Sequence, residues 1–250
     1  MKHKINITLF LSFIIISLIL KLSFWWILLA FFIFSVIIIY GSFQIKFNYF
    51  IPSFHQNTTT KEKIIALTFD DGPTEFTPKF LELLHKNNTK ATFFCIGKQI
   101  KKHPEIFRKT IEDGHEIGNH TFSHSEKIGF FSFGKMLKEI EKCDEIIEEF
   151  GTIKTELFRP PFGVTNPKIA KAIRNLNKKS IGWNIRSFDT VIDDSDKILA
   201  KIIPQIKPGS IILLHDTSEK TYKVLAELLL FLERENYKMV TVSQLLNLKK

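Results

Sequence analysis

From Lys63 onward the sequence predicts an α/β fold, a distorted (β/α)7 barrel resembling a TIM barrel, and three observations predict it. Short apolar runs alternate with helical stretches along the whole segment, about seven such runs occur, and the helices between them start at recognisable proline positions. Repeated βα units imply a parallel sheet, and about seven of them imply a barrel or an incomplete one rather than an open sheet. Ahead of the barrel lies an apolar segment of membrane-spanning character.

That segment, Ile5 to Phe43, is interrupted only by Lys21 among strongly charged residues. A single span needs ~20 residues, and this stretch is about twice that length. Two short helices in a hairpin fit it, Ile5 to Leu20 and Phe24 to Phe43, with Lys21-Leu22-Ser23 turning between them and Trp25-Trp26 at an interfacial level. The stretch exceeds the apolar region of a signal peptide and shows no small-residue cleavage site. A retained anchor over 1–44, touching membrane lipid through 5–43, is therefore expected. A hairpin with Lys2, Lys4, Lys46, Lys61 and Lys63 set against Lys21 favours a cytoplasmic domain, whereas a single tilted span puts it outside. The expectation carried forward is a membrane-anchored chain with an extracytoplasmic catalytic domain.

Residues 45–62 read as a linker, polar at Gln56-Asn57-Thr58-Thr59-Thr60, and 63–250 as one domain. Strands are predicted near Ile64–Phe69, Ala91–Ile96, His115–Gly118, Glu156–Phe158, Ser180–Trp183, Ser210–Leu214 and Met239–Val242. Pro78, Pro104 and Pro167 take the first helical position of three helices. Between Lys135 and Phe150, Met136, Leu137, Ile140, Cys143, Ile146, Ile147 and Phe150 share a face, which is core packing. The Gly129–Phe133 stretch reads as packing at the start of that helix in preference to a membrane-facing or glycan-facing lip.

Composition narrows the function classes. The chain has 250 residues and a formal charge of +9, but its lysines are scattered and no basic run is interleaved with aromatics for base stacking, so nucleic acid is not an expected partner. Cys95 and Cys143 form no close-set metal pattern and read as buried apolar residues.

The chemistry-bearing residues sit at predicted strand ends, where catalytic groups of parallel barrels gather. In Leu67-Thr68-Phe69-Asp70-Asp71-Gly72-Pro73, Gly-Pro breaks the pleat, so two adjacent carboxylates can converge on one site, one holding a metal and the other activating water. Taken alone, the run fits a solvated Asx-type turn equally well. His120 and His124 stand four residues apart and can reach one ion. Two histidines and a carboxylate make a three-ligand zinc set with a position open for water. Arg159-Pro160-Pro161-Phe162-Gly163, Arg186 with Asp189, and Leu213-Leu214-His215-Asp216 occupy similar places.

In order and spacing these blocks resemble the NodB-homology polysaccharide deacetylases, carbohydrate esterase family 4, over essentially all of Lys63 to Leu248. The resemblance implies Asp70 as general base, Asp71, His120 and His124 as metal ligands, and Arg159 as the residue that orients the base. It also implies Phe162 as a backbone N–H donor to the developing oxyanion, His215 as general acid, and Leu213 as the lining of the acetyl-methyl pocket. The implied cofactor is a divalent metal, Zn2+ first, with Co2+, Ni2+ or Mn2+ also accepted by such ligands. The implied substrate is an N-acetylated amino-sugar polymer such as peptidoglycan. One block departs: many members carry Asp-x-x-Asp-Trp where this chain has Arg186-Ser187-Phe188-Asp189-Thr190. Asp189 remains to hold His215 or Arg159, while Arg186 brings a cation that would weaken His215 as an acid unless Asp189 offsets it. That departure keeps a second reading in view, a membrane-tethered glycan-binding pseudoenzyme. A phosphotransferase of the haloacid-dehalogenase type is a third, although such enzymes carry Asp-x-Asp and need no histidine pair.

Overall fold

The computed structural model describes residues 2–248; Met1, Lys249 and Lys250, at the outer limits of the expected anchor and domain, lie outside the described residues. Two long helices come first, α1 (Lys2–Ile19) and α2 (Phe24–Phe43). Both are apolar on nearly every side, and both are long enough to be candidate membrane spans. They pair antiparallel: Phe10 stacks on Phe34 at 4.4 Å between ring centroids, and the start of α1 returns to the segment that follows α2. There Lys2 Nζ donates to Phe47 O at 2.7 Å and Asn6 Nδ2 to Tyr49 Oη at 2.7 Å.

The rest alternates strand and helix: β1 (Ile64–Asp70), α3 (Thr77–Lys86), β2 (Thr92–Cys95), α4 (Gly97–Lys102), α5 (Pro104–Glu112), β3 (Glu116–Asn119), α6 (Phe133–Gly151), β4 (Leu157–Phe158) and α7 (Pro167–Asn175), then β5 (Lys179–Ser180), β6 (Ile185–Arg186), α8 (Ser195–Ile202), β7 (Ile211–His215), α9 (Glu219–Arg234), β8 (Lys238–Met239) and α10 (Val242–Leu245). All pairings are parallel, and the sheet runs β5, β4, β3, β2, β1, β7, β6, with β8 beside the start of β1. β5 and β6 do not pair, so the barrel is incomplete, as the strand count led one to expect. β6 is the strand the sequence reading passed over, because two residues carry no periodic signal; Trp183, placed there in a strand, lies in the connection between β5 and β6.

Residues 45–57, expected as part of a linker, fold against the domain. Ile45, Tyr49, Phe50 and Ile51 are buried. Phe54 bridges to Ile181 and Gln56 to Ser210, so this segment crosses from the end of β5 to the start of β7 and fills the open side of the barrel. The physical reason is unmet backbone hydrogen bonding at an open sheet edge: Phe54 N donates to Ser180 O and Gly182 N to Phe54 O.

β1 fixes how the site is built. Ile65, Leu67 and Phe69 face the helices, with Phe69 against Phe80 and Phe93 at 5.5 and 4.9 Å between centroids. The alternate set, Ala66, Thr68 and Asp70, faces the barrel interior that Phe94, Leu157, Ile181 and Leu213 fill. Asp70 therefore ends the interior face of the central strand.

Helix α6 buries Met136, Ile140, Cys143, Ile146 and Ile147 as its stripe requires, and both cysteines are buried free thiols. In the Gly129–Phe133 stretch Phe131 is buried while Phe130 is 87% exposed, so packing accounts for only part of it. Asn166 caps α7, accepting from the N–H groups of Lys168 and Ile169 while its amide donates to Gly129 O. Replacing Asn166 with alanine is expected to cost about 1 kcal/mol, read as a lowered urea midpoint with an unchanged m-value.

Candidate active site

Strand register brings the charged residues together. Asp70 pairs with His215 across β1 and β7, Cys95 with Asn119 across β2 and β3, and Asn119 with Phe158 across β3 and β4. His120 and Arg159 each follow one of these aligned ends, so Asp70, His120, Arg159 and His215 ring the C-terminal mouth of the sheet.

Asp71 turns out of the strand with φ 73°, which is how two consecutive carboxylates point into one space. Glycine is needed next: a Cβ on Gly72 would sit 2.6 Å from Asp216 Oδ2. Asp216 is buried beneath this turn, accepts from Thr77 Oγ1, and is pushed up to about 7 by its burial.

Arg159 is wholly buried and tied on every side. Its Nη1 donates to Asp70 Oδ1 at 2.7 Å and Thr68 Oγ1 at 2.8 Å, Nη2 to Gly182 O at 3.0 Å, and Nε to Ile181 O at 3.3 Å. Burial raises the Asp70 carboxyl above its ordinary value; Arg159, then His215, pull against that rise without cancelling it.

His120 Nδ1 lies 2.7 Å from Arg159 O, so Nδ1 carries the proton and Nε2 presents a lone pair. Burial first, and His124 next, lower His120 to about 3, which keeps the ring neutral. That lone pair faces Asp71 Oδ1 at 3.5 Å, and His124 Nε2 faces the same oxygen at 3.3 Å. Asp71 Oδ1 is buried with no hydrogen-bond partner. The Asp71, His120 and His124 ligand atoms all lie within 4.8 Å of one another, a donor set that can hold a cation. A tetrahedral ion with ~2.1 Å bonds separates its ligands by about 3.4 Å, so the set fits zinc.

His215 is held from behind. Its Nδ1 donates to Asp189 Oδ1 at 2.8 Å and its backbone N to Asp189 Oδ2 at 2.8 Å. Burial opposes a charged ring, but the Asp189 hydrogen bond and charge, with smaller help from Asp70 and Asp71, carry His215 up to about 9. Asp189 thus holds His215, not Arg159. Arg186 is exposed and lies over the Phe188 ring at 4.8 Å, neither paired with Asp189 nor among the groups that shift His215.

Phe162 has φ 58° and its ring lies 4.7 Å from that of His124, at 47% exposure beside the mouth. Leu213 is buried at the interior face, paired with Thr68. Four supporting groups escaped the sequence reading as site members: Thr68, which shares Arg159; Ser187 and Thr221, whose hydroxyls donate to Asp189 at 2.7 and 3.1 Å; and Trp183, whose ring is 5.5 Å from the Arg159 guanidinium. The inward parity of Thr68 with Asp70 was available as a signal; nothing local marked Thr221, which comes from α9.

Known proteins are similar to this chain in sequence and fold. The family model described as polysaccharide deacetylase matches residues 57–181. A peptidoglycan-N-acetylglucosamine deacetylase of Bacillus cereus is 34% identical over 194 residues, covering 75% of this chain and 90% of that protein. The peptidoglycan-N-acetylmuramic acid deacetylase PdaC of Bacillus subtilis is 33% identical over 76% of this chain but only 40% of its own length. Among solved structures, the Bc1960 peptidoglycan N-acetylglucosamine deacetylase superposes with a TM-score of 0.74 at 30% identity, covering 79% of this chain and 94% of that one. BA3943 of Bacillus anthracis, a family pseudoenzyme, does so at 0.72 and 26% identity, covering 78% and 69%. By fold, site geometry and sequence, the chain belongs to the polysaccharide deacetylase family.

Proposed function

We propose that this protein is a membrane-anchored, metal-dependent hydrolase that removes N-acetyl groups from N-acetylglucosamine-type residues of a peptidoglycan-like envelope glycan. The observation that carries it is the partnerless Asp71 Oδ1 facing two imidazole nitrogens, flanked by a base and an acid. Asp71, His120 and His124 would hold the cation. When bound, it supplies Lewis-acid polarisation of the acetamide carbonyl and lowers the pKa of the attacking water.

The chain's own residues do the rest. Asp70 takes the proton of the attacking water, a task that suits a carboxylate raised by burial yet kept aimed by Arg159. The backbone N–H of Phe162 stabilises the oxygen on which charge develops. His215 gives its Nε2 proton to the departing amine, while Asp189 on Nδ1 fixes the ring and its protonation. Leu213 closes the space around the acetyl methyl. A pseudoenzyme reading gains from the likeness to BA3943, but the base, ligand and acid set is whole here.

The test is acetate release from N-acetylglucosamine oligomers and peptidoglycan fragments by the full chain with added zinc. Acetate lost on chelation and restored by zinc is expected; none released from any of them would sink the reading.

Residues 1–44 are the anchor, and the chain from 45 onward belongs with the catalytic domain. An antiparallel pair returns to its starting side, and Lys2, Lys4 and Lys46 on that side against Lys21 at the tip favour the cytoplasm. This departs from the extracytoplasmic location expected above, which leaned on a single span, because the paired helices favour a hairpin. A C-terminal green fluorescent protein fusion should fluoresce and a C-terminal alkaline phosphatase fusion should stay inactive; the opposite pattern returns the domain to the outside.

A further inference from the structure

The mouth of the site lies beside the end of α2. Thr165, three residues after Phe162, donates from its backbone N to Ser42 O at 2.9 Å, and its hydroxyl reaches Gly41 O at 3.3 Å. On the other flank Lys46 Nζ donates to Asn184 O at 2.6 Å. Both loops that frame the opening are therefore fastened to the last turn of α2 or to the residues just past it. With α2 read as a span, that places the opening at headgroup depth.

On the Lys46 flank lies a groove of about 190 Å3, lined by Phe43, Lys46, Trp183, Arg186, Phe188 and Gln205 among others. That volume is several times the ~30 Å3 of a water molecule. One side chain divides it from the chemistry. Trp183 lines the groove, and its ring faces the Arg159 guanidinium that holds Asp70. Gly163, at φ +68°, has no Cβ to strike it: one would lie 2.7 Å from Trp183 Cη2.

The groove is cationic without counter-ions. Arg186 and Lys201 both lie over the Phe188 ring, at 4.8 and 5.0 Å, and Lys46 has Lys207 as a neighbouring charge. Among the described residues, none of these four is paired with a carboxylate. Lys46 is held below its ordinary value by burial first and by Lys207 second, the condition that an anion relieves. A cation cluster at headgroup depth, next to an amide-hydrolysing site, matches a substrate carrying both its phosphate and its amide on one molecule.

We propose that this groove binds the phosphate of a lipid-linked amino sugar, so that the protein deacetylates a glycan unit still attached to its membrane carrier. The inference rests on the deacetylase reading and on the membrane anchor. It also gives Arg186, the departure from the family pattern, a use: the cation faces the substrate's phosphate rather than His215.

The test uses the full chain in phosphatidylcholine nanodiscs with the Asp70→Asn substitution, so that binding is read without turnover. One probe is N-acetylglucosamine joined through a diphosphate to an isoprenoid chain, and the other is the same sugar and chain joined by an uncharged ether. The diphosphate probe should bind at least tenfold tighter, about 1.4 kcal/mol. Adding Lys46→Gln and Arg186→Gln, both at exposed side chains, should erase that preference and leave the neutral probe unchanged. Equal binding of the two probes, a preference that survives the added substitutions, or displacement by phosphatidylglycerol as effective as by the probe itself overturns the proposal. If the unsubstituted protein shows the preference yet releases no acetate from the diphosphate probe, the groove stands and the deacetylase reading falls.

Discussion

An Asp70→Asn protein is expected to bind zinc as wild type does and to release acetate at least ~10²-fold more slowly. The amide keeps the volume and an oxygen for Arg159 Nη1, so the buried guanidinium retains a partner, but it cannot take a proton from water. Alanine is the poorer probe. It would strand a fully buried Arg159, and breaking a buried pair costs ~3–5 kcal/mol, enough to confuse lost chemistry with lost fold. Asp71→Ala should fail differently, losing the metal, because it removes one of three ligands and the oxygen on which both histidines converge. Zinc content after desalting and acetate release separate the two variants. Equal zinc retention by both would show that the adjacent carboxylates do not divide the work as proposed.

The convergence of these residues on one site was legible from the sequence because each block is local. Asp70-Asp71, His120 with His124, Arg159 and His215 all sit at or just past the end of a strand, and parallel register carries strand ends to one place. What was not legible depends on long-range packing. Thr221 reaches Asp189 from the first turn of α9, and only the docking of that helix makes the pair. Residues 45–57 read as a linker because Gln56 to Thr60 are polar, yet Phe54 and Gln56 supply backbone pairing that the open side of the barrel lacks. β6 is two residues long and is a strand only because Ile185 and Arg186 lie against Ile212 and Leu213. The burial of Asp70 and Arg159, which raises the Asp70 carboxyl against the pull of the cation, depends on the same long-range packing.

Asp189→Asn is expected to move the alkaline limb of the kcat profile to lower pH and to lower kcat at pH 8 by up to ~10²-fold. In the native protein His215 stays protonated up to about 9, so the acid is present across the neutral range. Asp189 supplies more of that rise than Asp70 or Asp71 does, so a cation bound at Asp71 leaves the limb set chiefly by Asp189. With the carboxylate gone, only Asp70 and Asp71 still oppose the burial of the charged ring, and its pKa falls. The same pair predicts a stability profile. His215 is raised on folding, so its contribution is full below 6.5 and is lost as pH climbs through about 9. Asp189 is lowered on folding, burial being outweighed by its bonds to His215, so its contribution is present above its ordinary value of 3.8 and lost as pH falls through its lower folded value. The destabilisation caused by Asp189→Asn, measured by urea unfolding, should therefore be largest between about pH 4 and 6.5 and fade above about pH 9. A merely structural Asp189 predicts a loss that does not change with pH and a kcat limb that stays where it was; either result would remove Asp189 from the role of setting the His215 proton.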